Sequence, residues 1–185
     1  MRKLTVFNHV SLDGYIQDAK GDMSWAHAAD PEWNAFVEGN AKGGGVLVFG
    51  RVTYELMTRY WPTEMARQND PVVAERMNAM PKLVFSRKLK KATWNNTRLI
   101  AEDPVATMRR LKQEDGDDMA MFGSGTIIAQ LAPAGLIDTY QIVVNPLILG
   151  SGRTMFEGIA EPVRLKQTAV RAFKNGNVVL WYAPA

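Results

Sequence analysis

Two glycine-bearing turns carry residue types that hold phosphate. Gly50-Arg51-Val52-Thr53-Tyr54-Glu55 follows the apolar run Val46-Leu47-Val48-Phe49, and Gly123-Ser124-Gly125-Thr126 follows Met119-Ala120-Met121-Phe122. Each turn leads into a helical pattern. A strand that turns tightly into a helix aims unbonded N–H groups and the positive dipole end at one spot, and that spot suits a phosphate. Two such turns in one domain suit a pyrophosphate, which makes a dinucleotide the expected cofactor. No G-K-[ST] occurs, so neither turn is a P-loop. Gly123 to Ile128 has the first two glycines of G-x-G-x-x-G without the third. The first strand is followed by Asn8-His9-Val10-Ser11-Leu12-Asp13-Gly14, which does not fit a Rossmann loop.

Other residues add chemistry or decoration. Asp13 sits just past the first strand, where it can give a proton, anchor a substrate, or close an ordinary Asp-Gly turn. His9 titrates near neutrality and also reads as a structural residue at a strand end. Trp25 reads as a pocket wall or as core. Gly150-Ser151-Gly152-Arg153 reads as a phosphate-binding loop or as a plain one. The cluster Arg87-Lys88-Leu89-Lys90-Lys91 is either a solvated turn or a site for an anionic group.

Composition bounds the rest. The 185 residues suffice for one domain, 1–185, with a substantial core. Hydrophobic residues make up 46% and charged residues 22%, as in ordinary globular proteins. No apolar run approaches the roughly 18 residues of a membrane helix, and Met1 to Phe7 reads as a strand rather than a signal peptide. The chain has no cysteine, which excludes disulfides and cysteine-ligated zinc. No metal site is expected, and the expected location is the cytoplasm. A net charge of +3 is too small to argue for nucleic acid.

The elements that must position these residues follow from pattern. Leu4 to His9 is a strand and Val10 to Ser24 a loop. Asp30-Pro31-Glu32 starts a helix, with Trp33, Phe36 and Val37 on one face, ended by Gly43-Gly44-Gly45. Val46 to Phe49 is a strand and Val52 to Tyr60 a helix. Lys82 to Ser86 and Arg98 to Ala101 are strands, and Asp103-Pro104 opens a helix to Gln113. Met119 to Phe122 is a strand, Thr126 to Leu131 a helix, and Thr139 to Val144 a strand. Val163 to Phe173 and Val178 to Tyr182 form a hairpin around Asn175-Gly176. Alternation predicts an α/β fold with a mixed, mostly parallel sheet flanked by helices and a C-terminal antiparallel hairpin.

This order resembles the dihydrofolate reductase fold. More closely, it resembles the reductase domain of bacterial riboflavin biosynthesis and its stand-alone relatives. Five segments carry the resemblance: Ser11-Leu12-Asp13-Gly14-Tyr15-Ile16, Gly50 to Glu55, Leu83-Val84-Phe85-Ser86-Arg87, Gly123 to Thr126, and Asn145 to Arg153. Met23-Ser24-Trp25 looks like the Met-Pro-Trp of the dihydrofolate reductase loop. The resemblance implies NADPH as cofactor. It places Gly50, Arg51 and Thr53 on the pyrophosphate and ribose, Ser86 and Arg87 on the 2′-phosphate, and Gly123, Ser124, Gly125 and Thr126 on the other side of the pyrophosphate. It implies Asp13 as the catalytic candidate, with Asn8, Trp25 and Arg153 toward a small heterocyclic substrate, and a homodimer. The implied reaction is hydride transfer to a pyrimidine- or pterin-like ring, similar to 5-amino-6-(5-phosphoribosylamino)uracil reductase or dihydrofolate reductase. Two positions depart from the pattern. The dihydrofolate reductase helix carboxylate maps near Asn34, with Glu38 a turn on, and Phe122 stands where the riboflavin reductases carry Glu. The deaminase domain and zinc motif often fused to those reductases do not occur. A non-catalytic nucleotide-binding protein on the same fold is the alternative.

Overall fold

The computed structural model describes residues 1–26 and 30–185. Its main sheet has eight strands: β1 (Leu4–Ser11), β3 (Val46–Gly50), β4 (Lys82–Phe85), β5 (Thr97–Ile100), β6 (Met119–Phe122), β7 (Thr139–Asn145), β9 (Leu165–Ala172) and β10 (Val178–Pro184). Their order is β5-β4-β3-β6-β1-β7-β10-β9. The pairs from β5 through β7 are parallel, while β10 runs antiparallel to both β7 and β9. The helices are α1 (Pro31–Lys42), α2 (Arg51–Thr58), α3 (Glu64–Asn69), α4 (Pro71–Ala79), α5 (Pro104–Gln113) and α6 (Gly125–Leu131). The expected mixed sheet with its antiparallel C-terminal hairpin is therefore present.

Strand alternation divides the core. Val46 and Val48 of β3 join Met108 and Leu111 of α5 and Ile127, Ile128 and Leu131 of α6 on one face. Leu47 and Phe49 join Tyr54 of α2 and Val73 and Met77 of α4 on the other. Trp33 of α1 packs with Val143, Phe173 and Val179 beside that second group. The Asp30 carboxylate accepts from Trp33 N at 3.0 Å and Pro31 fills the first turn, so the predicted helix start forms as read.

One expectation is corrected, and two features go beyond the pattern. The segment Val10 to Ser24 is not all loop: β1 runs through Ser11, and β2 (Tyr15–Gln17) pairs with β8 (Arg153–Thr154). These strands are too short to show a period-2 pattern. Residues 61–81 hold α3 and α4, started by Thr63, whose hydroxyl accepts from Ala66 N, and by Pro71. The final apolar strand, β10, lies between β7 and β9, so its apolar pattern is interior sheet and the free edge belongs to β9.

Lys82 begins β4 with 1% exposure. Its ammonium donates to the carbonyls of Asn78, Met80 and Asn95 and lies 4.4 Å from the Trp94 ring. It thus closes the C-terminal end of α4. Lys82→Met keeps the volume and strands these carbonyls, which should cost roughly 1–3 kcal/mol in denaturant unfolding. Burial also pulls the ammonium down to about 8. The folded protein then sheds this proton before the unfolded chain does. Stability gained between about pH 8 and 10 in the wild type should be absent from the variant.

Candidate active site

The parallel strands deliver their carboxyl ends to one edge. The chain runs from β1 through β3 and β4 to β5 in one direction. It then returns to insert β6 between β3 and β1, and places β7 on the far side of β1. Oppositely directed right-handed crossovers put α1 and α6 on opposite faces. Such a switch point leaves a crevice at the strand ends. Both glycine turns lie there, at the ends of the adjacent strands β3 and β6.

The turns are bonded to each other. Gly50 N donates to Ser124 Oγ at 2.6 Å, and Ser124 N donates to Thr53 Oγ1 at 3.1 Å. Gly123 N donates to Asn8 Oδ1 at 2.6 Å, which brings in β1. Gly123 and Ser124 both take the left-handed conformation, with φ of 57° and 63°. At Gly123 a Cβ would stand 2.5 Å from Thr53 Oγ1, so no side chain fits. Asp30, Thr63 and Asp103 close the starts of α1, α3 and α5 with side-chain bonds. Gly50 and Ser124 give no such bond to α2 and α6. The Ser124 hydroxyl, a natural cap, is turned onto Gly50 instead. The starts of α2 and α6 are thereby without a side-chain cap, as is that of α4. The fit to a pyrophosphate rests on this arrangement.

Ser86 and Arg87 follow β4 on the same edge. Ser86 Oγ accepts from Lys88 N at 3.2 Å and Leu89 N at 2.9 Å, which folds the basic cluster into a tight turn. Arg87, Lys88, Lys90 and Lys91 are exposed. Arg51, by contrast, is engaged within α2, with Nη1 at 2.8 Å from Glu55. Gly125 is buried, and Thr126 is exposed at the start of α6.

Asp13 changes character. Its exposed carboxylate accepts from Leu149 N at 3.1 Å and Gly150 N at 2.7 Å. The Ser11 hydroxyl is the largest influence holding it below its ordinary pKa, with these N–H groups adding to it. In this arrangement the carboxylate is bonded to two backbone N–H groups of another loop. It ties the 147–153 loop to the loop after β1, where Arg153 pairs with Gln17. Asn8 also takes a different part. It is buried, and its amide is spent on Gly123 and on Met155 Sδ at 2.9 Å, so it positions the turn rather than meeting a substrate. Trp25 is half-buried in the loop before α1, its Nε1 donating to Asp22 O. His9 lies 3.4 Å from Asn145 Oδ1 and edge-on to Phe7 and Trp33.

The face toward α1 carries no carboxylate of the expected kind. Asn34 is exposed, Trp33 is the inward residue, and Glu38 pairs with Lys42. Phe122 packs edge-on to Phe7. The bonds of Asn8 to Gly123 and of Ser124 to Gly50 and Thr53 join residues 71–115 positions apart, so nothing local in the sequence announces them. Among the described residues, no cluster of acids and histidines could hold a metal, and no helix is long and apolar enough to cross a membrane.

The chain belongs to the RibD C-terminal domain family, whose model matches residues 2–179. It is similar to a structure assigned to riboflavin biosynthesis from Shewanella sp. PV-4, at 20% identity and TM-score 0.76 over 99% of both chains. It also resembles the diaminohydroxyphosphoribosylaminopyrimidine deaminase/5-amino-6-(5-phosphoribosylamino)uracil reductase of Thermotoga maritima, at 17% identity and TM-score 0.71. That match covers 100% of this chain and 57% of that one. Dihydrofolate reductase from Enterococcus faecalis, complexed with NADP(H), matches at 16% identity and TM-score 0.63, over 98% of this chain and 96% of that one. The shared fold is thus the dihydrofolate reductase-like one.

Replacing Gly123 by Ala should weaken dinucleotide binding at least about tenfold, because the left-handed turn and the Thr53 contact both resist a Cβ. Isothermal titration reads this directly, and unchanged affinity would separate the turn from the ligand. Asp13→Asn removes a carboxylate whose folded-state pKa is depressed. Its contribution is present above the ordinary 3.8 and lost as pH falls through the folded value. The variant should therefore lose less stability than the wild type on acidification below about pH 4.

Proposed function

We propose that this protein is an NADPH-dependent reductase that passes a hydride to a small pyrimidine- or pterin-like heterocycle. The observation that carries the reading is the bonded pair of glycine turns, with the N–H groups of two uncapped helices aimed at the switch-point edge. On this reading Gly50, Thr53 and Gly123 to Thr126 hold the pyrophosphate. Ser86 and Arg87, with the exposed lysines behind them, hold the 2′-phosphate by forked, charge-assisted bonds. Arg51 contributes once its guanidinium leaves Glu55. NADPH supplies the hydride when bound. The chain fixes its orientation and keeps water from the ring, which is most of what such a reaction needs. The candidate proton sources are solvent and, among the described residues, Asp13 and His9.

A second reading has one observation in its favour. With Asp13 bonded to the 147–153 loop and no carboxylate inward on α1, the described residues bring no free carboxylic acid to the site, as expected for a nucleotide-binding protein that performs no reduction. Turnover decides between them: NADPH oxidation with any heterocycle supports the first reading, and tight NADPH binding without turnover across a broad panel supports the second.

NADPH should bind at least about tenfold more tightly than NADH, and Arg87→Ala should abolish most of that preference while leaving NADH affinity unchanged. Equal loss for both nucleotides would remove Arg87 from the 2′-phosphate.

A further inference from the structure

Asn177 is the one side chain among the described residues that is buried with both polar atoms unbonded. It is 0% exposed, and neither its Oδ1 nor its Nδ2 has a partner. Its backbone is fully used: the N–H donates to Asn175 Oδ1 at 3.0 Å, and the carbonyl accepts from Phe173 N at 2.9 Å. An enclosed carboxamide without partners is costly, and folded proteins retain few of them.

Its place in the fold gives that capacity a direction. Asn177 lies in the turn between β9 and β10. The bond from Phe173 N sets it opposite Phe173, so the two share a face, and Phe173 packs on Trp33 with ring centroids 5.1 Å apart. The neighbouring Gly176 abuts Pro146, where a Cβ would come within 2.9 Å of the proline ring. Pro146 directly follows β7. Ser11 pairs with Asn145, and Val144 pairs with Val178. One residue further along that register, Asn145 stands opposite Asn177. Three buried polar side chains thus form a row across β1, β7 and β10 at the carboxyl edge. Two of them are occupied. Ser11 Oγ accepts from Tyr15 N, and Asn145 Nδ2 donates to the carbonyls of Val10 and Val143 while its amide meets His9. Asn177 alone brings unspent hydrogen-bonding capacity.

The order β6-β1-β7-β10 sets Asn177 three strand spacings, about 14 Å, across the sheet from the Gly123 turn, and the registers set it three residues, about 10 Å, further along the strands. The residues between are aromatic and pack edge-on to one another, from Phe122 through Phe7 and His9 to Trp33 and Phe173, the last two in the core. No carboxylate projects inward from α1, so a neutral ring edge is the better match.

We propose that Asn177 recognises the substrate ring, its Oδ1 accepting from a ring N–H and its Nδ2 donating to the adjacent ring carbonyl of a lactam. The proposal rests on the reductase reading for the presence of a heterocycle at this edge. Entry of the ring requires the Asn175-Gly176 turn to lift away from Pro146.

The test titrates NADP⁺-saturated protein with uracil and lumazine, which carry the lactam edge, and with pyrimidine and pteridine, which lack it. The wild type should bind a lactam and bind the parent rings more weakly. Asn177→Leu and Asn177→Asp should each lower lactam affinity about tenfold or more and leave NADP⁺ affinity within about twofold. The leucine variant should melt at the same temperature or higher, since an unpaired amide is gone. Failure of both lactams to bind the wild type, equal binding of the parent rings, or equal lactam binding by the leucine variant would overturn the proposal. A lower melting temperature in both variants would also overturn it, because the amide would then be serving the fold. If the wild type fails to bind NADP⁺, the cofactor reading falls by itself, and the same lactam titrations on the unliganded protein still decide the role of Asn177.

Discussion

The carboxyl ends of β3, β6 and β1 are held together by side chain to main chain bonds that no ladder supplies. Ser124 bonds Gly50 and Thr53, and Asn8 bonds Gly123. Everything proposed for the ligand edge depends on this tie. Parallel strands fix their own spacing through their ladders, but the turns beyond them are free to wander. Ordering each residue costs roughly 1–2 kcal/mol of conformational entropy. A turn that meets a ligand must have met that cost beforehand if binding is to be tight. Here the left-handed pair Gly123-Ser124 is locked before any ligand arrives, and the hydroxyl that would have capped α6 is diverted to β3. The price is two helix starts left without side-chain caps.

The edge is graded in polarity. Its outer end, past β4, is cationic through Arg87, Lys88, Lys90 and Lys91. Its middle offers backbone N–H groups. Its inner end, across β1, β7 and β10, is aromatic and neutral, with buried amides and no inward carboxylate. A molecule carrying phosphates at one end and a neutral ring at the other follows that gradient. The loop after β1 and the 147–153 loop are tied to each other, and Ile16 and Met155 beside them join the core cluster of α5 and α6. Asp13 binds them to each other through Leu149 and Gly150.

The sequence revealed what depends on local pattern. Strand alternation, the Asp30-Pro31 helix start and the two glycine turns follow from rules that span a few residues, and they placed the sheet and the edge that carries both turns. Elements too short for a period, such as β2 and β8, escaped notice. So did α3 and α4, whose buried residues Ala66, Val73, Ala74 and Met77 are spread thinly among polar ones. The partners of Asn8 and Asp13 were not legible for one shared reason. Their type and position suggested contact with a ligand, but their partners lie 115 and 136 or more residues away. Only the fold reveals that those side chains are already engaged. Asn177 escaped for the opposite reason, since Asn after Gly reads as an ordinary turn.

The central claim is that the two turns form one ligand cradle. The most direct measurement is the change in backbone amide chemical shifts when NADP⁺ is added to isotope-labelled protein. The largest changes should fall together on Gly50 to Thr53 and Gly123 to Thr126, with a second group at Ser86 to Lys88. Saturating NADP⁺ that shifts only one turn, or that leaves both unmoved while other surfaces respond, would contradict the account.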